Sequence, residues 1–504
     1  MWRRLYLVLV LARLYFALSP SYIHPDEHFQ GPEIIAGEVF GYPIYKTWEF
    51  TSSQPIRSIF PFWLIYGWPL TVLKWLWEGL GNGPVPPSIA FYCLRVLMFL
   101  LSFILGDWAI HELIQNVHNR RVAIIMISSS YVTWTYQTHT FSNSIETLVV
   151  LWSLVLVSKL KENVQQTLPA PCCVLAFLGV LGIFNRITFP AFLVVPLTQM
   201  LPGLYRQPLR IPIMVAAGLF TLTIAITMDT EYYTGVRPHL RSLYSTSVIT
   251  PWNNLSYNAD TTNLAQHGLH PFWQHYVANL PQLIGPAFPF IFLSSRKNSL
   301  FWSAVTGISL LSFFPHQEAR FLLPAVPLLL STVDVPKRAS RFWIGIWFLF
   351  NILAATLFGI FHQGGAVPVQ GWISKQDGIS QAFWWKTYSP PRWLLDGKNN
   401  DMETTDLMGM PGHAMIGLLK HSASCVGSDS DKTLLIAPSS AAFLDGYAGT
   451  HATQAEDLTF TRLWQYRRHI GLDDLDFGDD GVWSTLQRVI GRRGLVVWQV
   501  ENKC

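Results

Sequence analysis

Twelve apolar runs, separated from one another by polar or basic stretches, leave this 504-residue chain few folds to choose from. Only 13% of its residues are Asp, Glu, Lys or Arg while half are hydrophobic, and soluble domains carry roughly twice that share of charge. The runs are Trp2 to Leu18, Ile59 to Leu76, Ile89 to Ile110, Val122 to Trp134, Leu148 to Leu160, Cys172 to Phe184, Phe189 to Leu204, Ile211 to Met228, Leu283 to Leu293, Leu300 to Phe314, Phe321 to Val333 and Phe342 to Phe361. Several fall short of the ~20 residues that span a bilayer. Those helices are extended by polar flanks, tilted, or packed inside a bundle. The pattern predicts an all-α polytopic membrane protein of about eleven transmembrane helices, followed by a small α/β domain.

Basic clusters set the expected orientation. Arg3-Arg4, Arg120-Arg121, Lys159 to Lys161, Arg206 to Arg210, Arg296-Lys297 and Lys337 to Arg341 belong on the cytosolic side by the positive-inside rule. The opposite, luminal face then receives His24 to Gln30, Phe141 to Glu146, Asn185 to Thr188, Asp229 to Tyr233, Trp252 to Pro271 and His316 to Arg320. This alternation requires that Ile59 to Leu76 lie at the interface rather than cross, which its Pro61, Pro69, Lys74 and many tryptophans favour. Reading the first run as a cleaved signal peptide is opposed by Arg13 and by the lack of a small-residue cleavage site.

Several function classes lose support. The net charge of +4 is scattered between apolar runs, so nucleic acid is not an expected partner. Five cysteines without a CxxC pair give no zinc site; Cys425 and Cys504 are positioned to pair if the C-terminal part is luminal. Transporters keep polar groups near the midplane, often in repeated halves. Here the polar segments gather at one face, and no internal repeat is visible.

From Gln363 the composition turns polar, which divides the chain into a membrane domain, 1–362, and a luminal C-terminal domain, 363–504. Leu434 to Ala437 and Leu495 to Val500 read as strands, and Leu407 to Lys420 as a helix. No nucleotide-binding glycine fingerprint follows those strands.

The chemistry concentrates in His24-Pro25-Asp26-Glu27-His28-Phe29-Gln30. Adjacent carboxylates project in different directions, so Asp26 and Glu27 are poorly placed as an acid and base couple. Transfer from a sugar phosphate needs only one base, because phosphate leaves as a stable anion and cations neutralise it. Asp26 is the candidate base, with Glu27 orienting it or holding an acceptor hydroxyl; a helix cap or surface turn after Pro25 is the plainer alternative. His24 and His28 have helical spacing, but Pro25 interrupts it and no further ligand pair is evident, so no metal is expected. In His316-Gln317-Glu318-Ala319-Arg320, an imidazole and a guanidinium suit a phosphate, with Arg186 as a second cation. A plain Glu318–Arg320 ion pair is the alternative there. Trp252 to Pro271 is dense in amides, imidazoles and aromatic rings, and offers Asn254, Tyr257, His267 and His270 to a sugar. Asn254-Leu255-Ser256 is a glycosylation sequon.

Taken in order, HPDEHFQGPE, SNSIE, NRITFP, the NNLSYN to HGLHP segment and HQEARFLLPAVPLL resemble glycosyltransferase family 22, the dolichyl-phosphate-mannose-dependent mannosyltransferases of glycosylphosphatidylinositol (GPI) and N-glycan assembly. The likeness covers most of Ser21 to Leu330. The form of the first and last motifs is most similar to the branch adding a fourth, α1,2-linked mannose to the GPI precursor. The resemblance implies a GT-C type fold in the endoplasmic reticulum membrane and inverting transfer from dolichyl-phosphate mannose to a GPI-precursor glycolipid, without metal or other cofactor. It maps the acidic motif onto Asp26 and Glu27 and the late motif onto His316, Glu318 and Arg320. Acceptor contacts are then expected from His24, Gln30, Glu33 and Glu318 as well as from the amide-rich segment. Gln317 stands where most relatives carry Lys, so Arg320 has to supply the charge.

Overall fold

The structure is a computed structural model that describes residues 2–238, 247–265, 268–335, 340–426, 432–448, 457–472, 475 and 477–503. The expected apolar runs are helical, with ends moved by local chemistry. The first is Trp2–Ala17. The second is helical from Phe60 to Gly79, with a π-helical turn at Trp63–Gly67. Val122 to Trp134 is not one helix: Val117–Ser128 ends at Ser129-Ser130, and a single turn, Tyr131–Trp134, follows. Phe189 to Leu204 opens with a 3₁₀ turn, Phe189–Phe192, before Val194–Arg206.

Among the described residues five helices are long and apolar enough to cross a membrane: Pro87–Leu113, Ser142–Glu162, Arg210–Thr234, His275–Leu293 and Ser340–Phe361. Pro169–Asn185 and Ser299–Leu311 are shorter apolar helices. The spans differ in what surrounds them. Protein encloses 83% of the apolar window of Ser142–Glu162 but only 11% of that of Arg210–Thr234, so the first is a core helix and the second presents its sides outward.

The contacts divide the chain into two compact units. The first comprises residues 1–17, Lys46–Pro69 and Leu94–Leu353. The second comprises Leu18–Tyr45, Leu70–Cys93 and Ala354–Cys504, so the polar C-terminal stretch is grouped with the first acidic loop. Composition alone places a single boundary after residue 362.

Within the first unit, the irregular segment between Ser128 and Ser142 is buried and many of its polar groups are paired. Trp347 Nε1 donates to Ser129 Oγ (2.8 Å), Tyr131 N to Asn351 Oδ1 (2.7 Å), Ser144 Oγ to Tyr136 O (2.6 Å) and Gln137 Nε2 to Thr147 Oγ1 (3.0 Å). Non-helical backbone inside such a bundle is tolerated only where protein satisfies it in this way. Asp229 makes a second knot: its carboxylate accepts from Ser58 Oγ (2.9 Å), Ile59 N (3.0 Å) and Thr250 Oγ1 (2.7 Å). It thereby fixes the start of the helix at Phe60 and the start of the helix Thr250–Ala259.

The second unit carries a five-stranded sheet: β1 Ile379–Trp385, β2 Glu403–Met408, β3 Lys432–Pro438, β4 Leu458–Tyr466 and β5 Leu495–Asn502, in the order β2-β1-β3-β5-β4. β1 runs parallel to β2 and β3, while β5 is antiparallel to β3 and β4. Both strands read from sequence are present as β3 and β5. The helix expected over Leu407 to Lys420 is Gly412–Ser422 instead, and Leu407 lies in β2. Met408, at φ +49°, and Pro411 turn the chain between strand and helix, because proline cannot continue a hydrogen-bonded strand. Cys425 is disulfide-bonded; Cys504, its expected partner, lies outside the described residues.

Two histidines of this unit are buried where water cannot help them. His362 is pushed down to about 4 and His469 to about 3, both chiefly by burial. His469 Nδ1 accepts from Gly365 N (3.3 Å), which requires a neutral ring with that nitrogen unprotonated. Below the ordinary histidine value of 6.5 the unfolded chain takes up protons that the folded unit refuses, so these residues stabilise the fold at neutral pH and that stability is lost progressively as pH falls from about 6.5 toward 4. The melting temperature of the detergent-solubilised protein should therefore fall between pH 7 and pH 5, and His469→Gln should make that fall shallower; an unchanged slope in the variant would refute the assignment.

Candidate active-site residues

The acidic loop belongs to the second unit. Pro25 adopts helical φ and ψ and starts a single helical turn, Asp26–Phe29, closed by His28 N to Pro25 O (3.0 Å) and Gln30 N to Asp26 O (3.2 Å). The turn separates the two carboxylates, as adjacency requires. Asp26 keeps 23% of its side chain exposed. Its carboxylate accepts a hydrogen bond from Gln30 Nε2, and His24 Nδ1 lies 3.4 Å from its other oxygen. Asp26 N donates to His24 Nδ1 (3.2 Å). Glu27 is wholly buried; Oε1 accepts from Ile23 N (3.2 Å) and lies 3.8 Å from His28 Nε2. His28, buried as well, meets Tyr22, Phe91 and Trp393 with ring centroids 5.0–6.4 Å away.

Glu33 is also inside. Its Oε1 accepts from Tyr45 N (2.9 Å) and Trp393 N (3.2 Å), tying the loop to the segment that precedes β2. Burial pushes its carboxyl up to about 8, with those two hydrogen bonds and the nearby Arg392 opposing. Its position is that of an internal tie rather than a group presented to solvent.

The cationic cluster belongs to the first unit. Glu318 binds two partners: Arg320 through Nε and Nη2 (the latter 2.9 Å) and His316 through Nε2 (2.9 Å). Burial alone would lower His316, but the hydrogen bond and charge of Glu318 more than offset it, so the imidazole titrates above its ordinary value. The ion pair that sequence offered as the plainer reading is therefore present, and the imidazole shares it. The segment around Gly268 and His270 joins this cluster: Gly268 O lies 3.3 Å from His316 Nδ1, and His270 Nδ1 accepts from Gln317 N (3.4 Å). Gln317 is turned inward, donating to Ser312 O (3.0 Å) and Phe314 O (3.1 Å) and accepting from His275 N (3.1 Å). It staples the loop and leaves the charge to Arg320.

Arg186 is drawn to the same place. Its guanidinium lies 5.0 Å from the ring centroid of Phe321, and that of Arg320 lies 5.5 Å from the same centroid. Glu146, at 3.3 Å from Arg186 Nε, balances its charge. The structure thus unites His316, Glu318, Arg320, Arg186 and His270, and separately His24, Asp26 and Gln30. Asn254 and Tyr257 pack elsewhere in the first unit: Asn254 Nδ2 donates to Ile56 O (3.4 Å), and the Tyr257 ring lies 4.8 Å from that of Trp48. His267 lies outside the described residues. Sequence reading missed Phe321 and Thr188 as members of the cluster; a charge at Glu146, inside an otherwise apolar helix, was the available signal for a buried partner.

Comparison with known proteins agrees with the motifs. Residues 4–395 match the Alg9-like mannosyltransferase family. The chain is 47% identical to GPI mannosyltransferase 4 of Aspergillus oryzae over 100% of this chain and 99% of that protein. It is 36% identical to GPI mannosyltransferase 4 of Saccharomyces cerevisiae over 78% and 77% of the two chains. Among solved structures it is similar to ArnT from Cupriavidus metallidurans bound to undecaprenyl phosphate, with a TM-score of 0.52, 11% identity and 98% of each chain covered. That likeness establishes a shared fold, of the GT-C type.

Two outcomes follow from the buried groups. Glu33 holds a proton in the folded protein that the unfolded chain releases near 4.5, so its contribution to stability falls as pH rises from about 4.5 to 8; between pH 6.5 and 8.5 the melting temperature of Glu33→Gln should fall less than that of the wild type. Gln317→Leu leaves buried partners unpaired and should cost about 1–3 kcal/mol, read as a lowered melting temperature.

Proposed function

The chain belongs to the Alg9-like mannosyltransferase family, and from that membership we propose that it transfers the fourth, α1,2-linked mannose onto a GPI precursor, taking it from dolichyl-phosphate mannose at the luminal face of the endoplasmic reticulum membrane. The observation that carries this reading is full-length kinship, at 47% identity, with a protein named GPI mannosyltransferase 4. In the proposed orientation the N-terminus is cytosolic, as the basic clusters favour.

In the proposed step the acceptor hydroxyl oxygen attacks the anomeric carbon of mannose as the bond to the phosphate oxygen breaks. The acceptor proton passes to Asp26, and dolichyl phosphate leaves with the bonding electrons. Inversion converts the β-linked donor to an α-linked product. Partial exposure supports Asp26 in this role, because a base must reach the hydroxyl it deprotonates. Gln30, which donates to one of its oxygens, orients it. Arg320, His316 and Arg186 are the proposed counter-charges for the phosphate; a guanidinium fork is well matched to that group. Glu318 holds Arg320 and His316 together when no phosphate is bound. The proposal invokes no metal, so transfer should survive excess EDTA.

Asp26→Asn should lower mannosyl transfer on the order of 10²–10⁴-fold while leaving the melting temperature near that of the wild type; full activity would remove Asp26 as the base. Cells lacking the protein should accumulate a GPI precursor with three mannoses. A precursor with two would point instead to transfer of the third mannose, and altered N-glycan precursors to an N-glycan acceptor.

A further inference from the structure

Glu146 has no place in the transfer described above, yet it is among the most costly residues in the first unit to keep. It sits with none of its surface exposed near the start of Ser142–Glu162, a helix otherwise enclosed by protein. A carboxylate there is tolerated only if paired and hydrogen-bonded. Both conditions are met by one short segment, Asn185 to Thr188. Arg186 Nε lies 3.3 Å from Glu146 Oε2, and Thr188 Oγ1 donates to Glu146 Oε1 (2.5 Å). Two further bonds join the same segments: Arg186 Nη1 to Ser142 Oγ (3.1 Å) and Asn185 Nδ2 to Ser142 O (2.8 Å). Thr188 also contacts Arg186, with Nε to Oγ1 at 3.4 Å.

The contrast with Glu318 assigns Glu146 its work. Glu318 is 25% exposed and shares its charge between Arg320 and His316, so water or a substrate anion can compete for it. Glu146 is sealed, and its attraction for Arg186 is screened far less. Both guanidiniums lie against the same Phe321 ring, where two cations repel unless each has its own counter-charge. A fixed carboxylate behind Arg186 removes that repulsion and limits the guanidinium to one orientation.

We propose that Glu146 is a positioning residue for mannosyl transfer: buried beneath Arg186, it holds that guanidinium against Phe321 in the orientation that receives the phosphate of the lipid-linked donor. The inference rests on the reading of Arg186 as a donor-phosphate residue. Glu146 touches no substrate in this scheme, and its removal acts through Arg186.

A double-mutant cycle on the full-length enzyme in detergent or nanodiscs tests this, with dolichyl-phosphate mannose and a three-mannose GPI glycolipid as substrates. Glu146→Gln keeps the side-chain volume and an acceptor for Thr188 but removes the charge. It should lower kcat/KM for the donor by about tenfold or more, with the acceptor KM unchanged. Arg186→Gln should do at least as much, and the double variant should be no worse than Arg186→Gln within about twofold, since residues acting as a unit are not additive. Glu146→Asp, which keeps the charge and shortens the reach, should recover part of the loss and serves as the test if Glu146→Gln does not fold. Additive losses, or equal changes in donor and acceptor KM, would overturn the positioning role while leaving Arg186 in place. Full activity in Arg186→Gln would overturn the donor-phosphate reading itself, and the role of Glu146 with it.

Discussion

Every ionised side chain buried in the first unit has to be matched by another charge or by several hydrogen bonds, and that requirement shapes more of the structure than helix propensity does. Removing one charge from water costs several kcal/mol even after relaxation. Arg13, fully buried in Trp2–Ala17, lies 3.4 Å from Asp107, which also accepts from Tyr6. Arg210 is satisfied by carbonyls, those of Leu160 (2.8 Å) and Asn163 (2.6 Å) among them, and so closes the turn after Ser142–Glu162. Asp229 gathers two hydroxyls and a backbone N–H from two separate segments. In each case a side chain distant in sequence is fixed because the alternative is an uncompensated charge. Glu146 and Arg186 are the same device placed beside the cationic cluster.

That rule explains which parts of the molecule could be read from sequence. Polar breaks in apolar runs are visible, so Asp26, Glu318, Arg320 and Arg186 stood out, and hydrophobic run lengths located most helices. The direction a side chain faces is not visible. Glu33, expected to contact the acceptor, and Gln317, which stands where most relatives carry Lys, both turn inward to satisfy backbone groups. Phe321 is one apolar residue among many until two guanidiniums are found against it. In the C-terminal region β3 and β5 were legible as buried apolar runs. β2 and β4 were not, because the edge strands Glu403–Met408 and Leu458–Tyr466 are rich in polar residues and hold only a residue or two that is fully buried. The helix predicted from Leu407 begins only after Pro411, at Gly412, because the preceding residues are held in β2 and the turn that follows it.

The sheet unit shows how polar stretches can be built into a protein without surface charge. Tyr22 donates to Ser389 O (2.8 Å), and Glu33 receives Trp393 N, so residues from the acidic loop take part in the C-terminal core. Tyr22 packs with Ala366, Val369, Ala382 and Trp384 in one apolar cluster. The loop that holds Asp26 is thus anchored by residues more than three hundred positions later in the chain, and its conformation depends on that core being formed. Titration of His362, His469 and Glu33 reports on this anchoring from opposite sides of neutrality. The histidines lose stability on acidification, whereas Glu33 loses it on the way up to about 8.

The choice between Asp26 and Glu27 follows from the same anchoring. A general base has to accept a proton from a hydroxyl that arrives from outside, so it needs an oxygen that is neither sealed nor already committed to the backbone. Glu27 fails on both counts: none of its surface is exposed, and Oε1 is held by Ile23 N across the loop it closes. Its charge serves to keep the turn after Pro25 wound. Asp26, one residue earlier and on the other side of that turn, keeps 23% of its side chain exposed and accepts a hydrogen bond from Gln30. The adjacent acidic residues therefore differ in place, Glu27 sealed inside the loop and Asp26 partly exposed, which is why the proposed transfer assigns the proton to Asp26, and a single helical turn enforces the difference.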